Sequence, residues 1–89
     1  MDANSSETIN LRSYVTFITI GSLHSGNYHS LIIGVCSYNG VMTPVKIAKT
    51  GDIDFNGNSS VNVTPSGTTG ITITSSVNAT IAVRSLRML

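Results

Sequence analysis

Side chains alternate with a period of two residues along most of this chain, and this pattern limits what the chain can fold into. The segment from Tyr14 to Ile20 is dense in β-branched and aromatic residues, and Ile71 to Thr74 alternates isoleucine with threonine. Both patterns fit a pleated strand better than a helix. Turn residues interrupt the strand pattern about every ten residues. The sequence therefore predicts an all-β fold, a small antiparallel β-sandwich or jelly roll of about seven strands.

Turn and breaker residues set the expected boundaries. Residues 1–10 are polar and without a period, which predicts a flexible lead-in or the end of a linker, followed by a single β-sandwich domain over residues 11–89. The segment from Gly21 to Asn27 is typical of a loop. Asn39-Gly40 between two apolar runs predicts a hairpin with a type I′ turn. Pro44 cannot donate a ladder hydrogen bond, so its strand is expected at a sheet edge or a bulge.

The small size of the chain predicts that it associates with other copies. A domain of 89 residues buries a modest share of its surface and usually needs a disulfide, a metal or association with other chains. Cys36 is the only cysteine, which excludes an internal disulfide, and its apolar surroundings in the sequence predict a buried side chain. The apolar C-terminal residues Leu86, Met88 and Leu89 predict that the last strand is held in a core or in an interface.

Charge and hydropathy exclude several partners. The net charge is +1 and only 10% of the residues are charged, so there is no basic surface for nucleic acid. The longest apolar stretch is far shorter than the ~20 residues of a membrane helix, so we expect no membrane insertion.

Metal-binding and catalytic patterns are weak. Asp52-Ile53-Asp54-Phe55-Asn56-Gly57 begins like a calcium loop, but its twelfth position is Val63 rather than a bidentate Glu. His24 and His29 are the remaining metal candidates, with His29 the better placed because it opens an apolar strand. Two ligands do not make a metal site, so we predict no metal and no cofactor.

Three catalytic patterns are incomplete in this sequence. Paired carboxylates occur only as Asp52 and Asp54 on one strand face, and there is no Gly-x-Ser-x-Gly motif. The segment Gly67 to Gly70 lacks the lysine and helix of a phosphate-binding loop. We therefore predict that the chain is not an enzyme.

Tyrosines and asparagines provide a candidate ligand site. A planar aromatic face beside amides and hydroxyls suits a sugar, and Asn27, Tyr28, Tyr38 and Asn39 supply these groups at two predicted loops. Tyr14 is a candidate for a third aromatic face. The alternative is that at least two of the three tyrosines are packed against the protein.

The strand and turn sequences resemble those of a viral family. Four features carry the likeness: short strands rich in Thr, Ser and Asn, the stretch Lys-Thr-Gly-Asp-Ile-Asp-Phe-Asn-Gly-Asn, the stretch Thr-Gly-Ile-Thr-Ile-Thr, and the closing Ala-Thr-Ile-Ala-Val-Arg-Ser-Leu-Arg-Met-Leu. In these features the chain resembles the C-terminal tip domains of bacteriophage tail fibres and tailspikes. This resemblance covers about residues 11–89. It implies a homotrimer in the virion that attaches to a host surface glycan. Two alternatives remain, a purely structural trimerisation or folding cap and a monomeric carbohydrate-binding module of a larger protein.

Overall fold

The computed structural model describes residues 1–89 and contains eight β-strands and no helix. The strands are β1 (Ser5–Asn10), β2 (Thr16–His24), β3 (Asn27–Tyr38), β4 (Val41–Thr50), β5 (Ile53–Phe55), β6 (Val61–Ser66), β7 (Gly70–Ser75) and β8 (Thr80–Arg87). The predicted all-β fold class is confirmed, with one strand more than expected.

The strands form two four-stranded sheets that pack face to face as a sandwich. Sheet A has the order β1-β7-β6-β5, and sheet B has the order β4-β3-β2-β8. All neighbouring strands are antiparallel except β5 and β6, which run parallel. The chain crosses between the sheets after β1, β4 and β7. Sheet B contains the three longest strands and therefore provides the larger surface.

The core lies between the two sheets and follows the two-residue alternation. In β2, Ile18 and Ile20 are buried, while Phe17 and Thr19, which alternate with them, are exposed. Twelve buried residues form one apolar cluster, to which both sheets contribute. The inward direction predicted for Ile53 is confirmed, because its side chain is completely buried.

The N-terminal segment is part of sheet A, which contradicts the prediction of a lead-in over residues 1–10. Ser5–Asn10 forms β1 and pairs along its whole length with β7, and the hydroxyls of Thr8 and Thr72 lie 3.0 Å apart. The segment was missed because its side chains are mostly polar and exposed. Backbone pairing at a sheet edge needs no apolar pattern, so the sequence gives little sign of it.

Strand β2 extends further than predicted. It continues to His24, so the segment predicted as a loop from Gly21 to Asn27 contains a turn at Ser25-Gly26 only. The predicted hairpin at Asn39-Gly40 is confirmed, because these residues have φ angles of 52° and 79°, as a type I′ turn requires.

Strand β4 lies at the edge of sheet B, as Pro44 predicted. The register between β3 and β4 shifts at Ile32/Ile33, because Ile32 pairs with Ala48 and Ile33 pairs with Lys46. Ile47 is the extra residue of this β-bulge. The bulge directs its side chain to the outer side of sheet B, where Ile47 is 53% exposed.

Cys36 is exposed, which contradicts the prediction that it is buried. Residues Leu31, Ile33 and Val35 point into the core, so Ile32, Gly34 and Cys36 point outward from the same strand. The apolar residues at the C-terminus are also exposed, with Leu86 at 63% and Leu89 at 82%. They do not enter the core of this chain, and a place in an interface remains a prediction. No helix in the structure is long and apolar enough to cross a membrane.

Candidate functional site

Tyr28 and Tyr38 are the two most exposed of the large hydrophobic side chains, at 83% and 86%. They lie near the two ends of β3 and point to the same outer side of sheet B. Ten residues of strand separate them, which corresponds to roughly 33 Å. The four predicted contact residues therefore form two separate groups. Asn27 and Tyr28 lie at one end of the sheet, and Tyr38 and Asn39 lie at the other.

Tyr14 is the one packed tyrosine, so the alternative that at least two tyrosines are packed is wrong. The guanidinium carbon of Arg87 lies 3.7 Å from the centroid of the Tyr14 ring. This contact is a cation–π interaction, which occupies one face of the ring.

A groove lies beside Tyr28 and is absent beside Tyr38. Its volume is about 340 Å³, and it is lined by Leu23, Tyr28 and the neighbouring hydroxyl residues Ser30 and Thr80. A second groove of about 360 Å³ continues it along sheet B and shares Gly21, Ser30 and Ala82 with it. None of the four grooves on the surface reaches Tyr38 or Asn39.

Gly21 opens the groove beside Tyr28. It pairs with Ser30 on one side and Ala82 on the other, so three small residues cross the sheet in one row. A Cβ atom added at Gly21 would meet no atom within 4 Å, and the space above the strand is therefore free. Sequence reasoning missed this groove because it placed Gly21 in a loop. A glycine within an otherwise continuous strand pattern is the signal that indicates it.

The two candidate metal ligands, His24 and His29, are buried and stacked on each other. Their ring centroids lie 3.8 Å apart, and the ring planes differ by 16°. The backbone N–H of Asp52 donates to Nδ1 of His29 at 2.8 Å, so the proton of this imidazole lies on Nε2. Nε2 of His29 then donates to the carbonyl oxygen of His24 at 3.1 Å. Both nitrogens of His29 are engaged, and neither is free to bind a metal.

His24 belongs to a chain of polar side chains that the sequence did not predict. The hydroxyl of Ser22 lies 2.7 Å from Nδ1 of His24, and a carboxylate oxygen of Asp52 lies 3.7 Å from Nε2. Nε2 is buried and has no hydrogen-bond partner. Ser, His and Asp in contact resemble a hydrolase triad in composition, but Ser22 is only 2% exposed, so a substrate cannot reach its hydroxyl. No group of three or more His, Cys, Asp or Glu side chains is placed to hold a metal ion.

Two carboxylates beside this cluster have lowered pKa values. Hydrogen bonding by Ser60 is the main reason that the pKa of Asp52 lies below its ordinary value, and the nearby His24 adds a smaller contribution. The pKa of Asp54 is lowered mainly by Lys46, whose Nζ donates to Oδ1 at 2.8 Å. Lys46 lies on β4 and Asp54 on β5, so this ion pair connects the edges of the two sheets.

Acid should weaken the fold through these two carboxylates. Because the pKa values of Asp52 and Asp54 are lowered in the folded chain, the unfolded chain binds protons at these groups first as the pH falls. The stabilisation that these carboxylates provide is fully present above about pH 4 and is lost as the pH falls through their folded-state pKa values. We expect Asp54→Asn to reduce the dependence of unfolding free energy on pH in this range, as measured by urea denaturation. Glu7→Gln is the control because Glu7 is exposed and forms no ion pair. Equal pH dependence in the wild type and Asp54→Asn would contradict the role of this ion pair.

Fold and surface together define a small β-sandwich module with a grooved, tyrosine-bearing sheet face and an enclosed histidine cluster. Comparison with protein-family models, curated proteins and solved structures finds no match for this chain.

Proposed function

We propose that this chain is an attachment module that binds a glycan in the groove beside Tyr28. The observation that carries the proposal is the 83% exposed Tyr28 side chain beside a groove opened by Gly21. An aromatic face packs against the apolar face of a sugar ring, and hydroxyls beside it exchange hydrogen bonds with the sugar hydroxyls. Ser30 and Thr80 supply hydroxyls in this groove. Asn27 precedes Tyr28 in β3 and therefore points to the other face of the strand, so the amide predicted as a contact does not line the groove.

The chemistry of the groove favours a neutral sugar. No charged residue lines the groove beside Tyr28, and Arg84 is the one charged residue lining the adjoining groove. The second predicted group, Tyr38 and Asn39, lacks a groove, so we assign the main contact to the Tyr28 end. A non-catalytic role is consistent with the burial of Ser22 and with the enclosed histidines.

The resemblance to tail-fibre and tailspike tips supplies the biological setting of the proposal. In that setting the chain forms a homotrimer in the virion and attaches to a host surface glycan. A second function, a structural cap that holds chains together, is favoured by the many apolar side chains exposed on sheet B. A monomeric carbohydrate-binding module is the third alternative, and a one-chain mass in light scattering would support it.

The attachment proposal is tested by glycan-array and whole-cell binding. We expect Tyr28→Ala to weaken binding by about tenfold or more, as loss of an aromatic contact at the centre of a binding site does. Tyr28→Phe should retain most of the binding because the ring is kept. Tyr38→Ala is the matched control, since it removes an equally exposed tyrosine from the same strand face, and it is compared at a chain concentration at which wild type and variants have the same mass, so that a change in association does not alter the binding.

Two outcomes would overturn the attachment proposal. One is a folded chain that binds no glycan or cell surface. The other is binding that Tyr38→Ala abolishes while Tyr28→Ala leaves it unchanged. The first outcome, together with a stable oligomer, would favour the structural cap.

A further inference from the structure

Strand β3 is apolar on both faces, but this chain covers only one of them. Leu31, Ile33 and Val35 fill the core, while Ile32 on the opposite face is 37% exposed beside Gly34 and Cys36. A strand that is apolar on both faces is typical of a sheet packed on both sides. The sandwich supplies sheet A on the inner side and leaves the outer side of sheet B without a partner.

The exposed apolar side chains on this outer side form a continuous band. Phe17 pairs with Gly34 on one side and with Leu86 on the other, and Gly34 pairs with Val45, so one row crosses all four strands. The Ile47 side chain lies over Gly34, because a Cβ atom added at Gly34 would lie 3.0 Å from Cδ1 of Ile47 and 3.9 Å from the Phe17 ring. We call this surface the apolar band, and its members are Phe17, Ile32, Val45, Ile47 and Leu86.

The exposed apolar area matches that of a stable protein interface. Nine of the eleven exposed large hydrophobic side chains lie on the outer side of sheet B. Leu23 and Tyr28 lie together at the far end of the sheet, and the exposed fractions of the other seven side chains amount to roughly 700 Å², with about 150–200 Å² for each fully exposed side chain. The largest apolar patch on a typical monomer is about 300–600 Å². A standard interface buries about 800 Å² on each partner.

Charge indicates what kind of partner covers the band. Among the strand residues on the outer side of sheet B, Arg84 is the only charged one. A membrane surface or an acidic protein would be recognised by clustered basic residues, which are absent here. An uncharged apolar face carries no charge that would repel a second copy of the chain, whether the copies are arranged around a twofold or a threefold axis. The chain also has no internal disulfide to support its small core.

We infer that a second copy of this chain packs on the apolar band. The inference rests on the self-association in the proposed function and is independent of glycan binding. A contact of about 800 Å² centred on Gly34 extends roughly 15 Å from its centre. Tyr38 lies four residues from Gly34, about 13 Å, and falls within this contact. Tyr28 lies six residues away, about 20 Å, and remains outside it. Gly21 and Ser30, at the inner end of the groove, lie about as far from Gly34 as Tyr38 does, so a second copy borders the groove while the Tyr28 ring itself stays exposed.

The association is measured by analytical ultracentrifugation of the full chain over a range of concentrations. Phe17→Lys and Ile47→Lys each place a charge in the band at a position that is exposed in the single chain, at 45% and 53%. We expect either variant to weaken association at least tenfold while the β-sheet circular dichroism spectrum is kept. Thr74→Lys is the control, because Thr74 is exposed on β7 of sheet A.

Cys36 provides a second measurement that needs no substitution. It is exposed, and it lies on the outer side of sheet B two residues from Gly34. We expect its reaction with a maleimide to slow as the concentration rises through the association range. This measurement remains informative if the lysine variants fail to fold.

The outcomes separate the interface from the proposed function. A wild-type chain that stays monomeric at all concentrations would overturn both the self-association and the interface. An oligomer that persists in Phe17→Lys and Ile47→Lys, or one in which Cys36 reacts at the monomer rate, would overturn the interface alone. Loss of association in Thr74→Lys only would also contradict it. Glycan binding by Tyr28 is scored separately, so its failure would leave the interface standing.

Discussion

Replacing Ile33 by alanine should lower the free energy of unfolding by about 2–5 kcal/mol, whereas the same change at the neighbouring Ile32 should cost less than about 1 kcal/mol. The two residues have the same side chain and adjoin each other in β3. Ile33 is completely buried in the core, and Ile32 is 37% exposed on the outer side of sheet B. Ile33→Ala therefore leaves a cavity in the core, while Ile32→Ala removes a partly solvated side chain.

Urea denaturation below the association range measures this difference. At higher concentration Ile32→Ala should weaken association, because Ile32 belongs to the apolar band, while Ile33→Ala should act mainly on the single chain. Similar losses of stability for both variants at low concentration would contradict the assignment of their faces. A larger loss for Ile32→Ala than for Ile33→Ala would mean that the register between β2 and β3 is shifted by one residue.

Local patterns predicted the parts of the fold that local physics decides. Asn39-Gly40 forms the predicted turn because both residues adopt positive φ at little cost. Pro44 lies on an edge strand because proline lacks the N–H that a central strand needs. Ile53 points inward because strand side chains alternate between faces.

The errors arose where distant pairing decides the structure. Ser5–Asn10 forms a strand because β7 offers it a free edge, and its own side chains carry no strand pattern. Cys36 was predicted to be buried because its surroundings are apolar, but those residues alternate between a covered and an uncovered face. Sequence alone does not show which of two apolar faces the chain itself can cover.

The candidate site was predictable only in part. Tyr28 was selected for its aromatic ring beside polar residues, and the structure places it at a groove. The groove itself depends on the register that aligns Gly21 with Ser30 and Ala82 across three strands. The histidine cluster depends on a contact between His29 and Asp52, which are 23 residues apart in the sequence. Such contacts between distant residues cannot be predicted from the spacing of residues in the sequence.

Replacing His29 by leucine should destabilise the fold by about 2–4 kcal/mol, because the change leaves two backbone groups without their partner. These groups are the N–H of Asp52 and the carbonyl of His24, which the two nitrogens of His29 hold in place. Gly51 packs against the same ring with a φ of 91°, and a Cβ atom there would clash with Nδ1 of the imidazole. The site is therefore shaped around this imidazole.

His24→Leu is the matched comparison and should cost at most about 1 kcal/mol. It removes one hydrogen bond with Ser22, but it also removes the buried Nε2 that has no partner. His29→Asn should recover part of the stability lost in His29→Leu, since the amide oxygen of asparagine can accept from the N–H of Asp52 near the position of Nδ1. Thermal and urea unfolding of the three variants at neutral pH measure these differences. If His24→Leu proved more damaging than His29→Leu, the partnered nitrogens would not be what stabilises this end of the sandwich.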